Sequence, residues 1–370
     1  MKVLYSALAT ILLVTLGCGE DDVYNPCAGV QEFDQTGMLT NYADEIIVPT
    51  FVELQELTDR LVEDVNTFSG FPSTETLTAA QTTFREAYAL WQHAAVYSFG
   101  PAESIDLVAR TNPFPTNAER IDAIIASDDD ADLNFISNSA NSFARGFPAL
   151  DYLLFDGDEA TVVDRYHGQS DSQRRGHVAI LIALNIEADV KTVTESWQES
   201  YRDQFIANTG TAAGSSLSLL VNGLNEHYEN IKRDKLGIPS GIVTAGIPNP
   251  TKTEAFYSGI SVALAEEALR GSSTAFTGGM GIGLDDLLLS LDARTADGEP
   301  LTAAINAIYD EAVAAVSALP DPLSETIGSD LASVNNAYAA ATRNVVRLKT
   351  DMPSALCVDV TYIDNPSDTD

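Results

Sequence analysis

Apolar residues return every three or four positions over most of this chain, which is the period of an α-helix with one buried face. Ile47, Phe51, Leu54, Leu57, Leu61 and Val65 step in this way, and so do Val178, Ile182, Ile186, Val190, Val193 and Trp197. Leu217, Leu220, Leu224, Tyr228 and Ile231 form a third stripe. A fourth runs through Ile327, Leu331, Val334, Tyr338, Ala341, Val345 and Leu348, alternating four and three like a bundle seam. No run of alternating β-branched residues lies between tight turns. The expected fold class is all-α.

Breakers place the ends of these helices. "SGFPSTE" closes the first and "FGPAES" the second, while "NPFPTN" precedes a short helix starting near Asn117. The polar, flexible stretch "NTGTAAGSS" divides the chain into two helical halves of similar length. The expected organisation is residues 34–208 as an N-terminal bundle and 209–357 as a C-terminal bundle, similar lengths that suggest one duplicated unit. A polar tail, 358–370, follows.

The first 18 residues read as an export signal. Lys2 supplies the positive start, the apolar run is too short to span a bilayer, and the run ends "LVTLGC". A small residue before cysteine at such a site resembles a bacterial lipoprotein processing signal, although Thr15 stands where leucine is usual. The mature chain would then begin at a lipidated Cys18, with 19–33 as an acidic tether. An ordinary signal peptide cut nearby would change the anchor and leave the compartment the same. Cys27 and Cys357 remain, at opposite ends of an exported chain; a disulfide clasping the termini and two free thiols are the alternatives.

Charge narrows the partners. The 54 acids against 20 bases leave a formal charge of -34, which repels nucleic acid and anionic membrane surfaces and attracts cations. Contact with a membrane is therefore expected only through the lipid anchor. The four histidines, His93, His167, His177 and His227, show no pair at ligand spacing. No zinc-peptidase motif is present, and the glycine stretch "TGGMGIG" has no lysine to cradle a phosphate. It reads as a flexible loop before "LDDLLL", whose Asp285 and Asp286 sit where a helix start favours carboxylates.

Six segments occur in an order that resembles the imelysin-like family, a class also filed as peptidases: "WQHAAVYSFGPAES", "NPFPTNAERID", "RGFPALDYLLF", "DKLGIPSG", "FYSGISVALAEEALRG" and "GIGLDDLLL". The resemblance runs from about residue 34 to 350. It implies a two-domain helical protein of the bacterial cell envelope, linked to iron uptake or regulation in some members and to peptidase activity in others. The family signature is Gly-x-His-x-x-Glu on a helix, where imidazole and carboxylate share one face and converge on a cation. Here the matching positions are Gly146, Pro148 and Asp151. Proline cannot ligate, and one aspartate does not make a tight metal site.

The same three residues also make a well-formed helix entry. Proline at the first helical position costs no hydrogen bond, Gly146 permits an unusual backbone turn, and Asp151 suits the helix dipole. The ligand-contact candidates are Trp91, Arg145, Gly146, Phe147, Pro148, Asp151, Tyr257 and Ser258. Asp151 is the one metal-ligand candidate, with iron the ion the resemblance suggests. Arg145 would favour an anionic ligand, and Ser258 would cap the helix after it. No residue is expected to be catalytic. The resulting expectation is a non-catalytic envelope lipoprotein on the periplasmic or cell-surface face of the outer membrane, binding a metal ion or small ligand in iron or metal acquisition. Its rivals are a metallopeptidase of the imelysin class and an interaction scaffold for an outer-membrane transporter.

Overall fold

The computed structural model describes residues 27–127, 131–168 and 170–361. The export signal, Cys18 and the end of the tail, 362–370, lie outside the described residues, as does most of the acidic tether. Its last part behaves differently from a tether. Ala28–Glu32 is a helical turn with Val30 buried, and Cys27 is bonded to Cys357 across 330 residues of sequence, their Cα atoms 5.9 Å apart. Val358 is buried too, and Asn222 holds Asp359 and Thr361, so the start of the polar tail packs on the body.

The chain is all-α. Among the described residues no β-strand forms, and the one strand-like pairing is a single bridge, Arg294 with Pro300. Eight helices of ten residues or more carry the core: α1 (Val48–Gly70), α2 (Thr74–Ala94), α3 (Gly146–Phe155), α4 (Ser172–Ser196), α5 (Ser216–Asn230), α6 (Ser261–Thr277), α7 (Leu301–Ser317) and α8 (Leu331–Val346). Helix α1 packs on α2 and α4, and α3 lies against α2 and α4. Helix α6 packs on α2, α5 and α7, and α7 on α8. Helix α2 is thus flanked by α1 on one side and α6 on the other. None of these helices is long and apolar enough to cross a membrane.

The apolar stripes are buried, with two displacements. On α1 the buried face runs Phe51, Leu54, Thr58, Leu61, Val65 and Phe68. Thr58 occupies the place expected for Leu57, its hydroxyl donating to the Gln55 carbonyl at 2.9 Å. The expected C-terminal seam is interrupted, because Asp330 ends one short helix and caps α8, accepting from the Ser333 N–H at 3.2 Å. Ile327 therefore belongs to a separate element.

Among the described residues four wide, π-helical turns interrupt the ladders, at Tyr42–Ile47, Trp197–Tyr201, Ile231–Gly237 and Arg347–Asp351. Three of them end two residues before a proline: Pro49, Pro239 and Pro353. Proline has no N–H for the carbonyl four residues back, and its ring crowds that carbonyl. The chain widens instead, and the residue before each proline bonds five residues back: Val48 to Ala43, Ile238 to Arg233, Met352 to Arg347. The turn at 231–237 carries two residues of the site described next.

Two expected loop features resolve differently. The "TGGMGIG" loop is tied down, with Asn41 Nδ2 donating to the carbonyls of Gly278 and Ile282 at 2.8 and 3.1 Å. Ser258 does not cap α6. That helix begins at Ser261, and the Asp321 carboxylate accepts its Val262 and Ala263 N–H groups at 2.7 and 3.2 Å. Asp286 does cap the helix after the glycine loop, accepting from Gly283 at 3.0 Å.

Candidate functional site

Helix α3 opens with Gly146 at φ +71, a left-handed conformation that glycine adopts without strain. A Cβ there would lie 2.3 Å from the Thr111 carbonyl oxygen, so close approach requires glycine as well. Pro148 stands at the third helical position rather than the first. The economy is the same, because the first four N–H groups of a helix have no partner within it.

Asp151, one turn on, is buried. Its Oδ2 accepts the Tyr257 N–H at 2.8 Å and its Oδ1 the Ser258 N–H at 2.9 Å. Burial pushes its carboxyl up to about 6, the two backbone donors opposing the rise and the charge of Glu254 adding to it. The aspartate fastens α3 to the loop preceding α6. The Tyr257 ring lies 5.1 Å from that of Tyr152, whose hydroxyl donates to the Asp122 carboxylate.

Two hollows flank this staple. The first, about 350 Å³, is bounded by Trp91 at the end of α2, Val108, Asn112, Phe143, His227 on α5 and Lys235. The second, about 230 Å³, is bounded by Pro148, Asp151, Thr253, Phe256 and Tyr257. Phe114 and Pro115 line both and form the partition between them.

Beneath the first hollow lies a buried polar cluster. Lys235 donates to Gln92 Oε1 at 2.7 Å and to Glu254 Oε2. Glu254 Oε1 accepts from Asn112 Nδ2 at 2.7 Å and from Gln92 Nε2 at 3.2 Å. Tyr88 donates to Asn112 Oδ1 at 2.5 Å, and Ser261 fixes the Glu254 backbone by donating to its carbonyl at 2.6 Å. An ion pair so far from water persists only with further hydrogen bonds around it, and here both Glu254 oxygens receive donors and Lys235 also reaches Gln92. The Lys235 ammonium also lies 5.7 Å from the centre of the Phe114 ring. His227 is held neutral, its ring pushed down to about 3 by burial and by the charge of Lys235.

The expected site residues therefore separate. Trp91 lines the larger hollow, Pro148, Asp151 and Tyr257 the smaller, and Ser258 an outer recess beside Asp321. Phe147 lines neither; it stacks on Tyr88 at 4.6 Å in an aromatic core. Gly146 acts through its backbone alone. Arg145 does not face a ligand space either, since its guanidinium donates to the carbonyls of Ser137 and Ala109 at 3.0 and 3.3 Å. His93 turns away from the hollow to meet Glu267 at 2.8 Å.

Sequence reasoning missed Gln92, Asn112, Lys235 and Glu254. Two of their segments, "NPFPTN" and "DKLGIPSG", carried a signal in their prolines, which bend the chain beside the polar residue. Glu254 carried none.

The donor set does not suit a metal ion. Asp151 has both oxygens engaged by N–H groups, Glu254 by three donors, and the Pro148 side chain has no ligating atom. Among the described residues no three of His, Cys, Asp and Glu converge as a ligand group.

The imelysin family model, named as peptidase M75, matches residues 47–352. The chain belongs to the imelysin family. It is 21% identical over 328 residues to iron-regulated protein A of Synechococcus elongatus, a match covering 85% of each chain. Among solved structures it resembles one from Parabacteroides distasonis described as an iron-regulated protein A precursor, with TM-score 0.72 and 18% identity over 87% of this chain and 95% of that one. An imelysin-like protein from Psychrobacter arcticum 273-4 matches with TM-score 0.68 and 18% identity, over 89% of this chain and 97% of that one. These likenesses establish an imelysin fold.

Proposed function

We propose that this imelysin-family protein is a non-catalytic binding protein of the cell envelope, tethered through a lipidated Cys18 and acting in an iron-linked process. The iron link rests on relatives named for iron regulation. The observation that carries the binding reading is the 350 Å³ hollow over the Lys235–Glu254 cluster, a largely apolar space with a few convergent polar groups. Its occupant is a small organic ligand rather than a bare ion, because the oxygens of Asp151 and Glu254 already accept from N–H donors.

Peptidase chemistry would need a ligated metal with a positioned base, or an activated nucleophile. The residues around the hollow supply neither arrangement. The test is growth of the source organism under iron limitation after deletion of the gene, complemented with wild type or with Val108→Phe, which fills the hollow. Wild type is expected to restore growth and Val108→Phe to fail. Full complementation by a folded Val108→Phe protein would favour the scaffold role at a transporter. Chelator-sensitive hydrolysis of casein by the purified protein would restore the peptidase reading.

A further inference from the structure

The hollow over Lys235 has a pole whose spare hydrogen-bonding capacity is unequal. Lys235 has three N–H donors and uses two, on Gln92 and Glu254. Asn112 uses one amide hydrogen on Glu254 and retains the other. Gln92 has both amide hydrogens engaged, on Glu254 and on the Tyr88 carbonyl. Each acceptor in this group already receives a donor: Glu254 Oε1 receives two, and Glu254 Oε2, Gln92 Oε1 and Asn112 Oδ1 one each. Two N–H groups, one on Lys235 and one on Asn112, are left without an acceptor among the described residues, whereas every oxygen of the cluster has at least one donor.

Charge at the rim points the same way. Asp234, which also lines the hollow, is met by Arg233 at 2.8 Å, so that pair is neutral as a unit. Lys235 and Glu254 likewise cancel. Lys252 lines the rim, is exposed, and makes no ion pair among the described residues. His227 is neutral, and its Nε2 is committed to the Ala268 carbonyl at 3.3 Å. The local sum is positive, on a chain whose formal charge is -34. The remaining walls, Trp91, Ala95, Val108, Phe114, Phe143 and Ile238, are apolar, and three of them are flat rings.

We infer that the hollow binds a compact aromatic carboxylate. Its ring lies among Trp91, Phe114 and Phe143, and its oxygens accept from Lys235 and Asn112, with Lys252 closing over the charge. Such an anion would be desolvated at one end only, where charge-assisted hydrogen bonds compensate. This inference rests on the hollow being the binding site, as proposed above, and adds the chemistry of its occupant.

The test is calorimetry on the purified protein at low salt with four probes of one shape: benzoate, cinnamate, benzyl alcohol and benzylamine. The expected result is saturable binding of one or both carboxylates, about tenfold or more tighter than the alcohol, with no binding of the amine. Lys252→Ala, an exposed substitution, should weaken the carboxylates severalfold and leave the alcohol unchanged. Val108→Phe, confirmed folded by circular dichroism, should abolish both. If the alcohol or amine binds as well as the carboxylates and Val108→Phe removes that binding, the hollow remains a site and the anion inference is overturned. If no probe binds, the inference and the binding reading beneath it both fall.

Discussion

Asp151 reaches across 106 residues of sequence to accept the Tyr257 backbone N–H at 2.8 Å, and the adjoining Ser258 N–H occupies its other oxygen. A buried carboxylate thus joins α3 to the segment before α6. Removing it leaves two part-buried donors unsatisfied, each costing about 1–3 kcal/mol at most. Asp151→Ala should therefore lower stability by about 2–4 kcal/mol in urea denaturation. Calorimetric titration of wild type with ferrous and ferric iron should show no stoichiometric site. Tight, Asp151-dependent iron binding would refute the staple.

The same carboxyl titrates at about 6, above its ordinary 3.8. Between those values the native state holds a proton that the unfolded chain has released. Stability from this group is therefore full below the unfolded value and lost as pH rises through about 6. Relative to an Asp151→Asn variant, wild type should gain about 1 kcal/mol on going from pH 7 to pH 5. Parallel stability curves for the two proteins would contradict the raised value.

His227 has the opposite sign. Its ring charges only near about 3 in the folded protein, against 6.5 ordinarily. The unfolded chain takes up the proton first as pH falls below 6.5, so native stability declines from there. By pH 5 the loss attributable to His227 should be about 2 kcal/mol. A His227→Gln protein should be correspondingly less acid-sensitive in denaturation midpoints measured at pH 7 and pH 5.

Lys235 and Glu254 are both buried, and each depends on the other. Glu254→Gln leaves a buried ammonium without its counter-charge and should cost about 3–5 kcal/mol. Adding Lys235→Met should recover part of that loss, since an apolar replacement removes the unpaired charge. A double-mutant cycle measures the recovery; additive losses would show that the pair is uncoupled.

Gly146→Ala should destabilise by more than about 2 kcal/mol, because the positive φ and the Thr111 carbonyl both exclude a Cβ. Gly210 serves as a control. It also has positive φ, but a Cβ there meets no atom within 4 Å, so its alanine variant should cost less.

The helices were legible in the sequence, since burying one side of a helix leaves a local trace every three or four residues. Every residue of the predicted stripes on α4 and α5 is buried, and Thr58 was missed because a threonine can satisfy its own hydroxyl within the helix. The prolines at 49, 239 and 353 belong to the same local chemistry, and each wide turn follows from the missing N–H.

Tertiary structure alone decided what these residues do for one another. Asp151 finds its donors 106 residues away, and Arg145 turns to carbonyls of Ser137 and Ala109 that no periodicity points to. Asn112, Lys235 and Glu254 meet because helices from distant parts of the chain pack around α2, and hydrogen bonds between side chains impose no spacing on the sequence that makes them. The sequence determines which faces are buried; only packing determines which polar groups are buried together.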